Sequence, residues 1–176
     1  MTRYSWPSIG AHWLIALLIF AGFALGLYMH DLPLSPQKLR FYSYHKWLGV
    51  TVFALVLVRV FLRWRYPPPP LLPAPHWQQR AAQGVHHAFY FLMFAIPLSG
   101  WLMSSAKGFP TVWFGVLPLP DLLEKNEALG DLLRDIHEAL NWLLGILVCL
   151  HVGAALKHHW HDRDATLARM LPWIRR

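Results

Sequence analysis

The sequence has a single cysteine among its 176 residues, and this scarcity excludes several kinds of site. A disulfide needs a second thiol, and cysteine-ligated zinc and iron–sulfur centres need several. The one cysteine, Cys149, lies inside an apolar run, where core packing explains it. We therefore expect neither a disulfide framework nor a cysteine-ligated metal centre.

Charged residues are also few, at 14% of the chain, whereas hydrophobic residues make up 56% and aromatic residues 15%. The mean hydropathy of +0.32 makes the chain more apolar than most soluble domains of this length. These values predict a membrane protein with one domain over residues 1–176. The net charge of +7 does not indicate a nucleic-acid partner, because the basic residues lie in loops and tails beside apolar runs.

Four apolar segments are long enough to cross a membrane as helices. They cover approximately residues 8–28, 44–62, 87–105 and 135–156. No small-residue cleavage site follows the first segment, so we expect a retained membrane helix rather than a signal peptide. The predicted fold is an all-α, integral-membrane four-helix bundle.

The distribution of basic residues predicts the orientation of this bundle. Four spans place both termini on one side, and that side carries ten arginine and lysine residues against six on the other. Basic residues accumulate on the cytoplasmic side of membrane proteins. We therefore expect both termini in the cytoplasm.

The links between the spans differ in character. The first, residues 30–41, is short, so the first two helices should be antiparallel neighbours. The second, residues 63–86, contains a run of four prolines and is predicted to be extended and stiff. The third, residues 106–134, is predicted to place its aromatic half at the membrane interface and to form a short surface helix in its acidic half.

Four histidines lie within the spans at two matched depths. His137 and His151 are fourteen residues apart on the fourth span, which keeps them near one face and separates them by about 21 Å along the helix axis. His12 lies near the depth of His151, and His45 lies near the depth of His137. We call the first pair the inner tier and the second pair the outer tier. Buried imidazoles need partners, and two pairs at two depths predict two haem irons in the bundle core.

These histidines could also have roles that do not involve haem. A single intramembrane histidine can be a hydrogen-bonded side chain near the interface. Zinc is the second candidate metal, but no cysteine accompanies the histidines, and Glu138 near a helix end is the one acid beside them. His87, at the start of the third span, competes with His12 as the partner of His151, whereas its neighbour His86 is expected to lie at the interface.

Two further positions are candidate site residues. Arg59 flanks the inner tier, where it would contact a haem propionate or reach the lipid headgroups. Lys46 and Lys157 are weaker candidates for the same role. His158 belongs to a histidine cluster just beyond the fourth span, which is either a solvated tail or part of a quinone or proton site.

The chain resembles the bacterial cytochrome b561 family over essentially its whole length. The stretches that carry the resemblance are AHWLIALL with His12, YHKWLGV with His45, LVRVFLRWRYPPPP, HHAFYFLMFAIPLSGWLM, DIHEAL with His137 and LHVGAALKHHW with His151. The fourteen-residue spacing on the fourth span also resembles the haem-b subunits of hydrogenases and formate dehydrogenases. The resemblance implies two haems b with His12/His151 and His45/His137 as axial pairs, which leaves His87 outside the iron coordination.

The same resemblance implies a link between a periplasmic electron donor and the ubiquinone pool of the bacterial inner membrane. Superoxide is the expected donor, since one close relative resembles a superoxide oxidase. An iron with two histidine ligands has no open position, so the haems should relay electrons rather than bind oxygen.

Charge on the periplasmic side bears on this donor. Six basic and seven acidic residues give that side a net charge of −1, although an anion would be attracted by positive charge. Five of the six basic residues could supply that charge locally: Lys38, Arg40, Lys46, Lys107 and Arg134. The alternatives are an electron-transfer anchor subunit of a larger dehydrogenase or hydrogenase, and a non-redox metal or proton transporter.

Overall fold

The computed structural model describes residues 3–174, and it consists mainly of four long α-helices. The helices are α1 (Trp6–His30), α2 (Pro36–Arg65), α3 (His76–Ala106) and α4 (Glu127–Lys157). All four are long and apolar enough to cross a membrane. The predicted all-α, membrane-spanning four-helix fold is therefore confirmed.

Local sequence signals mark where the helices begin. Ser5 and Ser35 are the N-caps of α1 and α2, and the side chain of each accepts a hydrogen bond from the backbone N–H three residues later. A proline follows in the first turn of both helices. Proline is tolerated there because backbone N–H groups of the first turn have no acceptor within the helix. Asn126 caps α4 by accepting a hydrogen bond from Leu129 N–H at 3.0 Å. These caps satisfy backbone donors that the helix itself leaves free.

Consecutive helices are packing neighbours: α1 on α2, α2 on α3 and α3 on α4. Direct contact between α1 and α4 is sparse within residues 3–174. The two helices meet where Phe23 packs edge-on against Trp142, with ring centroids 5.8 Å apart. We call the end where α1 begins and α4 ends the terminus side, and the opposite end the loop side. The bundle is thus least closed between its first and last helices.

Buried apolar side chains are few, and most of them lie between the two tiers of histidines along the helices. One cluster contains Ile15, Val52, Val56 and Met93, and the other contains Leu92, Ile96 and Leu144. Ile9 and Ala106 are buried outside these clusters, near opposite ends of the bundle. Many other large apolar side chains are exposed. Lipid tails are as apolar as these side chains, so a membrane helix gains little by burying them.

Three helices begin well before their predicted spans. The chain is already helical at Pro36 instead of residue 44, at His76 instead of residue 87 and at Glu127 instead of residue 135. The sequence-based prediction followed the apolar runs, but a capped helix also propagates through the polar turns beside them. The end of the acidic stretch therefore belongs to α4 and not to a separate surface helix. In the second link, residues 66–75 alone are extended, and we call them the proline link.

The aromatic half of the third link forms a small hairpin that is fastened to α2. Strands β1 (Val112–Trp113) and β2 (Leu117–Pro118) pair in antiparallel fashion. Trp47 Nε1 donates a hydrogen bond to Val112 O at 2.7 Å, and Trp113 Nε1 donates to Thr51 Oγ1 at 3.2 Å. This half of the link is therefore held beside the level of the outer tier.

The segment after α4 folds back against the terminus side of the bundle. It contains two short helical turns, His158–Asp162 and Leu167–Arg169. Trp13 Nε1 of α1 donates to Met170 O at 2.9 Å, and Arg169 donates to Pro70 O at 2.7 Å. The carboxyl-terminal segment thus joins α1 to the proline link.

Candidate functional site

The outer tier is a pair of histidines that meet across the centre of the bundle. The rings of His45 on α2 and His137 on α4 have centroids 6.1 Å apart. α2 and α4 are not consecutive in the chain, so this pair of rings spans the core of the bundle. The sequence-based pairing of these two residues by depth agrees with this placement.

Hydrogen bonds to backbone carbonyls orient both outer rings. His45 Nδ1 donates to Gly22 O at 3.1 Å, and His137 Nδ1 lies 2.9 Å from Ile96 O and 3.0 Å from Ser99 Oγ. A carbonyl oxygen can only accept, and the Ser99 hydroxyl already donates to Ile96 O, so Nδ1 carries the proton in both rings. Each Nε2 atom then keeps its lone pair. Metal-ligating histidines adopt this arrangement.

Two glycines make room for these rings. A Cβ atom added at Gly100 of α3 would lie 3.0 Å from His137 Cε1, and one added at Gly26 of α1 would lie 3.4 Å from His45 Cε1. The first distance is too short for an ordinary carbon–carbon contact. The His137 ring can therefore occupy its position because residue 100 has no side chain.

A cavity borders the outer tier and touches all four helices. The space that it encloses in this structure is small, about 60 Å³. Its lining is mostly apolar, and the polar side chains in it are those of His45, His137 and Asn141. Two imidazoles in an apolar lining suit the metal of an apolar cofactor.

The inner tier pairs His12 of α1 with His151 of α4, as their depths predict, but a third histidine is present. The ring centroids of His12 and His151 are 6.4 Å apart, and that of His86 on α3 is 5.8 Å from that of His151. His87 was predicted to be the competitor of His12, but His86 is the third histidine beside His151, and its ring is partly exposed, as expected near the interface. One residue along a helix turns the side chain by about 100°, which directs His86 rather than His87 toward His151.

The separation of the paired rings fits one metal ion between each pair. A metal–nitrogen bond of about 2 Å on each side, with roughly 1 Å from nitrogen to ring centroid, gives a centroid separation of about 6 Å. The observed separations are 6.1 Å in the outer tier and 6.4 Å in the inner tier. Both pairs therefore fit an iron held by two imidazoles, as in a haem with two histidine ligands.

Arg59 lies beside the inner tier on the terminus side. Its positive charge lies close enough to His12, His86 and His151 to interact electrostatically with their rings. Its Nε donates to the Tyr90 hydroxyl at 3.3 Å, whereas its Nη1 is buried with no hydrogen-bond partner among residues 3–174. A buried guanidinium nitrogen without an acceptor is costly, so this atom is suited to an acceptor on a bound group.

His158 takes part in an ion-pair network at the end of α4. Its Nδ1 lies 2.7 Å from Asp164 Oδ2 and 3.0 Å from Asp162 Oδ2, and Lys157 Nζ lies 2.7 Å from the same Asp162 oxygen. Burial alone would raise the pKa of the Asp164 carboxyl, but hydrogen bonds from Thr166 and His158 outweigh burial and lower this pKa below its ordinary value. Asp164 is therefore ionised at neutral pH, and Nε2 is the ring nitrogen of His158 that remains for another group.

Some basic side chains on the loop side are neutralised by nearby acids. Lys107 Nζ lies 2.7 Å from Asp131, and Arg134 lies 3.2 Å from both Asp131 and Asp135. These cations fix the start of α4 against the end of α3. They add little positive charge to the surface around the outer tier.

The cations at the start of α2 are different. Lys38 Nζ donates to backbone carbonyls of residues 30 and 32, and Lys46 Nζ donates to Phe109 O at 2.9 Å. Within residues 3–174, no carboxylate lies at ion-pair distance from Lys38, Arg40 or Lys46. Their charge therefore remains on the loop side, and Lys46 directly follows His45 in the chain.

Known proteins match this chain over almost its whole length. The family model described as prokaryotic cytochrome b561 matches residues 3–173. "Cytochrome b561 homolog 2" of Escherichia coli (strain K12) is 38% identical over 96% of this chain and 91% of its own length. "Probable superoxide oxidase CybB" of Yersinia pestis is 30% identical over 97% and 96%, and "Cytochrome b561 homolog 1" of Escherichia coli (strain K12) is 31% identical over 98% and 98%. The chain therefore belongs to the prokaryotic cytochrome b561 family of membrane electron-transfer proteins.

Proposed function

We propose that this protein binds two haems b and transfers electrons from superoxide to ubiquinone in the bacterial inner membrane. Its family supports membrane electron transfer as the general role. The observation that carries the proposal is the presence of two facing histidine pairs, each with a ring separation suited to one iron. The family is one of redox proteins, which leaves the alternative of a non-redox transporter without support.

In this proposal His12 and His151 hold the inner iron, and His45 and His137 hold the outer iron. Haem supplies reversible one-electron chemistry when it is bound. The two tiers are separated by about 21 Å along α4, which is most of the roughly 30 Å apolar thickness of a bilayer. Because each iron would have imidazoles on both faces, these side chains exclude oxygen from direct coordination.

Superoxide is supported as the electron donor by two observations. One relative is named a probable superoxide oxidase. The three cations at the start of α2 also place positive charge beside the outer tier, where an anion would be attracted. In the balanced reaction, two superoxide anions lose one electron each and become two molecules of oxygen, while one ubiquinone gains both electrons and two protons.

The terminus side is proposed as the quinone side, with His158 as a site residue. The Asp164 carboxylate holds His158 through Nδ1–H, so that the doubly protonated ring can give its Nε2 proton to a quinone carbonyl, after which Nε2 takes up a new proton from solvent. The excess of basic residues on the terminus side supports a cytoplasmic location for this end, which has access to protons from the cytoplasm.

The enzyme activity is tested by supplying superoxide to the purified protein with a short-chain ubiquinone. We expect quinol formation that depends on the protein and that superoxide dismutase abolishes. Absence of this activity in a protein that contains haem would contradict the superoxide assignment and would favour the anchor-subunit alternative. A stable periplasmic subunit would then be expected to copurify.

Replacing Lys38 and Lys46 with glutamine is expected to slow this reaction about tenfold at low ionic strength, because attraction of the anion is lost. The difference should shrink as salt is added. Stopped-flow measurement of the second-order rate constant checks this. The control is Arg80→Gln, an exposed cation near the start of α3 on the terminus side, which should leave the rate unchanged.

Gly100→Ala is expected to weaken binding of the outer haem about ten- to a hundredfold, since the new Cβ would press on the ring of His137. Haem content per chain during dialysis against a haem scavenger measures this loss. Gly84→Ala on the same helix is the matched control, because a Cβ there meets no atom within 4 Å. Equal haem loss in both variants would contradict the assigned position of His137.

A further inference from the structure

A second pocket opens on the terminus side, and the sequence analysis did not anticipate it beyond Arg59. Its polar lining consists of two guanidiniums, three phenols and one hydroxyl: Arg59, Arg63, Tyr4, Tyr66, Tyr90 and Ser8. Within residues 3–174 no acidic side chain lines it. A concave surface with two positive charges and several hydroxyl donors is suited to an anionic group with oxygen atoms.

Tyr90 of α3 holds the two arginines of α2 together. The guanidinium carbons of Arg59 and Arg63 lie 6.0 Å and 5.9 Å from the centroid of its ring, and Arg59 Nε donates to its hydroxyl at 3.3 Å. These contacts use the Nε of Arg59 but leave its buried Nη1 without an acceptor in the described part of the chain. The positive charges of Arg59 and Arg63 are held close together, and the buried Arg59 Nη1 still needs an acceptor. This arrangement points to a ligand with two negative charges.

The carboxyl-terminal segment borders this pocket. Met170 lines it together with Pro68 of the proline link. Met170 is held by the hydrogen bond from Trp13 Nε1 to its carbonyl, and Arg169 anchors the same turn to Pro70 O. Arg63 and Tyr66 are exposed, so the pocket stays accessible from the terminus side.

We propose that this pocket binds the two propionate carboxylates of the inner haem, with Arg59 and Arg63 as the charged donors and the carboxyl-terminal segment along its rim. The inference rests on the proposed function, because it requires a haem at the inner tier. Arg59 connects the pocket with the inner tier. It lines the pocket, and its charge lies close enough to His12 and His151 to interact electrostatically with them. The phosphate of an anionic lipid has the same oxygen chemistry, and the test distinguishes these two sources.

The test compares the wild-type holoprotein with Arg59→Gln/Arg63→Gln, each produced with haem that carries ¹³C at the propionate carboxyls. Redox-difference infrared spectra identify the propionate bands by their isotope shift. We expect the bands of one haem to move in the variant and those of the other haem to stay. The midpoint potential of one haem should also fall, because positive charge near its iron is lost.

Arg80→Gln is the control, since Arg80 is an exposed cation on the terminus side that does not line the pocket. Arg59→Lys keeps the charge and should restore part of the potential if the double variant folds poorly. Unchanged propionate bands in the double variant would overturn the inference. The variant could instead lose bound phosphatidylglycerol in native mass spectra while its propionate bands stay unchanged. That result would assign the pocket to a lipid phosphate and would also overturn the inference. A wild-type protein without haem would instead contradict the proposed function itself.

Discussion

His137→Ala is expected to lower the haem content of the purified protein from about two per chain to about one, because an outer iron keeps a single axial ligand after this change. The loss should be specific to the outer tier, since His12 and His151 do not contact His137. The pyridine haemochrome assay, normalised to protein concentration, measures this ratio. His45→Ala should give the same result.

A suitable control is His30→Ala. His30 is exposed at the end of α1 on the loop side, where its Nδ1 pairs with Asp31 at 2.8 Å. This variant should keep both haems. If His137→Ala also retained both, the outer tier would not be a haem site, and its histidines would be hydrogen-bonded core residues instead.

His12→Ala and His151→Ala are each expected to remove the inner haem, whereas His86→Ala should keep both haems. The reason is the space that a flat macrocycle needs between its two ligands. Contact between α1 and α4 is sparse along these helices, whereas α3 and α4 pack closely together. We therefore expect the macrocycle to lie between His12 and His151 rather than between His86 and His151. The shorter ring separation of 5.8 Å between His86 and His151 therefore does not make His86 the ligand.

Haem content together with the spectrum of the reduced protein separates these three variants. A chain that keeps two haems after His12→Ala but loses one after His86→Ala would contradict the assignment. Electron transfer from superoxide to quinone should stop in His12→Ala, because the inner tier is the one nearer the proposed quinone side.

The sequence predicted the helix count and both histidine pairs, and the reason is physical. A membrane span must be apolar over its whole length, so a histidine inside one is conspicuous and its depth can be counted from the ends of the run. Depth along a helix follows from residue number alone. The pairs His12/His151 and His45/His137 could therefore be inferred without knowledge of helix packing.

Rotation about the helix axis was harder to predict, and this explains the exchange of His86 and His87. Adjacent residues lie at nearly the same depth in the membrane, and they differ instead in the direction of their side chains around the helix axis. His86 shares an i, i+3, i+7 stripe with Phe89 and Met93, and His87 shares the same kind of stripe with Tyr90 and Phe94. Both stripes are aromatic or apolar and both contact the core, so the sequence did not identify which of the two histidines faces His151.

The helix starts and the terminus-side pocket depend on information that an apolar run does not contain. Pro36 and His76 begin helices in polar sequence, where caps and prolines rather than hydropathy set the boundary. The pocket around Arg63 joins residues from α1, α2, α3 and the carboxyl-terminal segment. The position of that last segment depends on hydrogen bonds such as Trp13 to Met170 O, which have no signature in sequence.

Haem quantification combined with low-temperature electron paramagnetic resonance of the oxidised wild-type protein tests the central claim most directly. We predict about two haems b per chain, both low-spin with two histidine ligands. A colourless protein, a single haem, or a high-spin signal from an iron with one histidine ligand would contradict the two-tier arrangement.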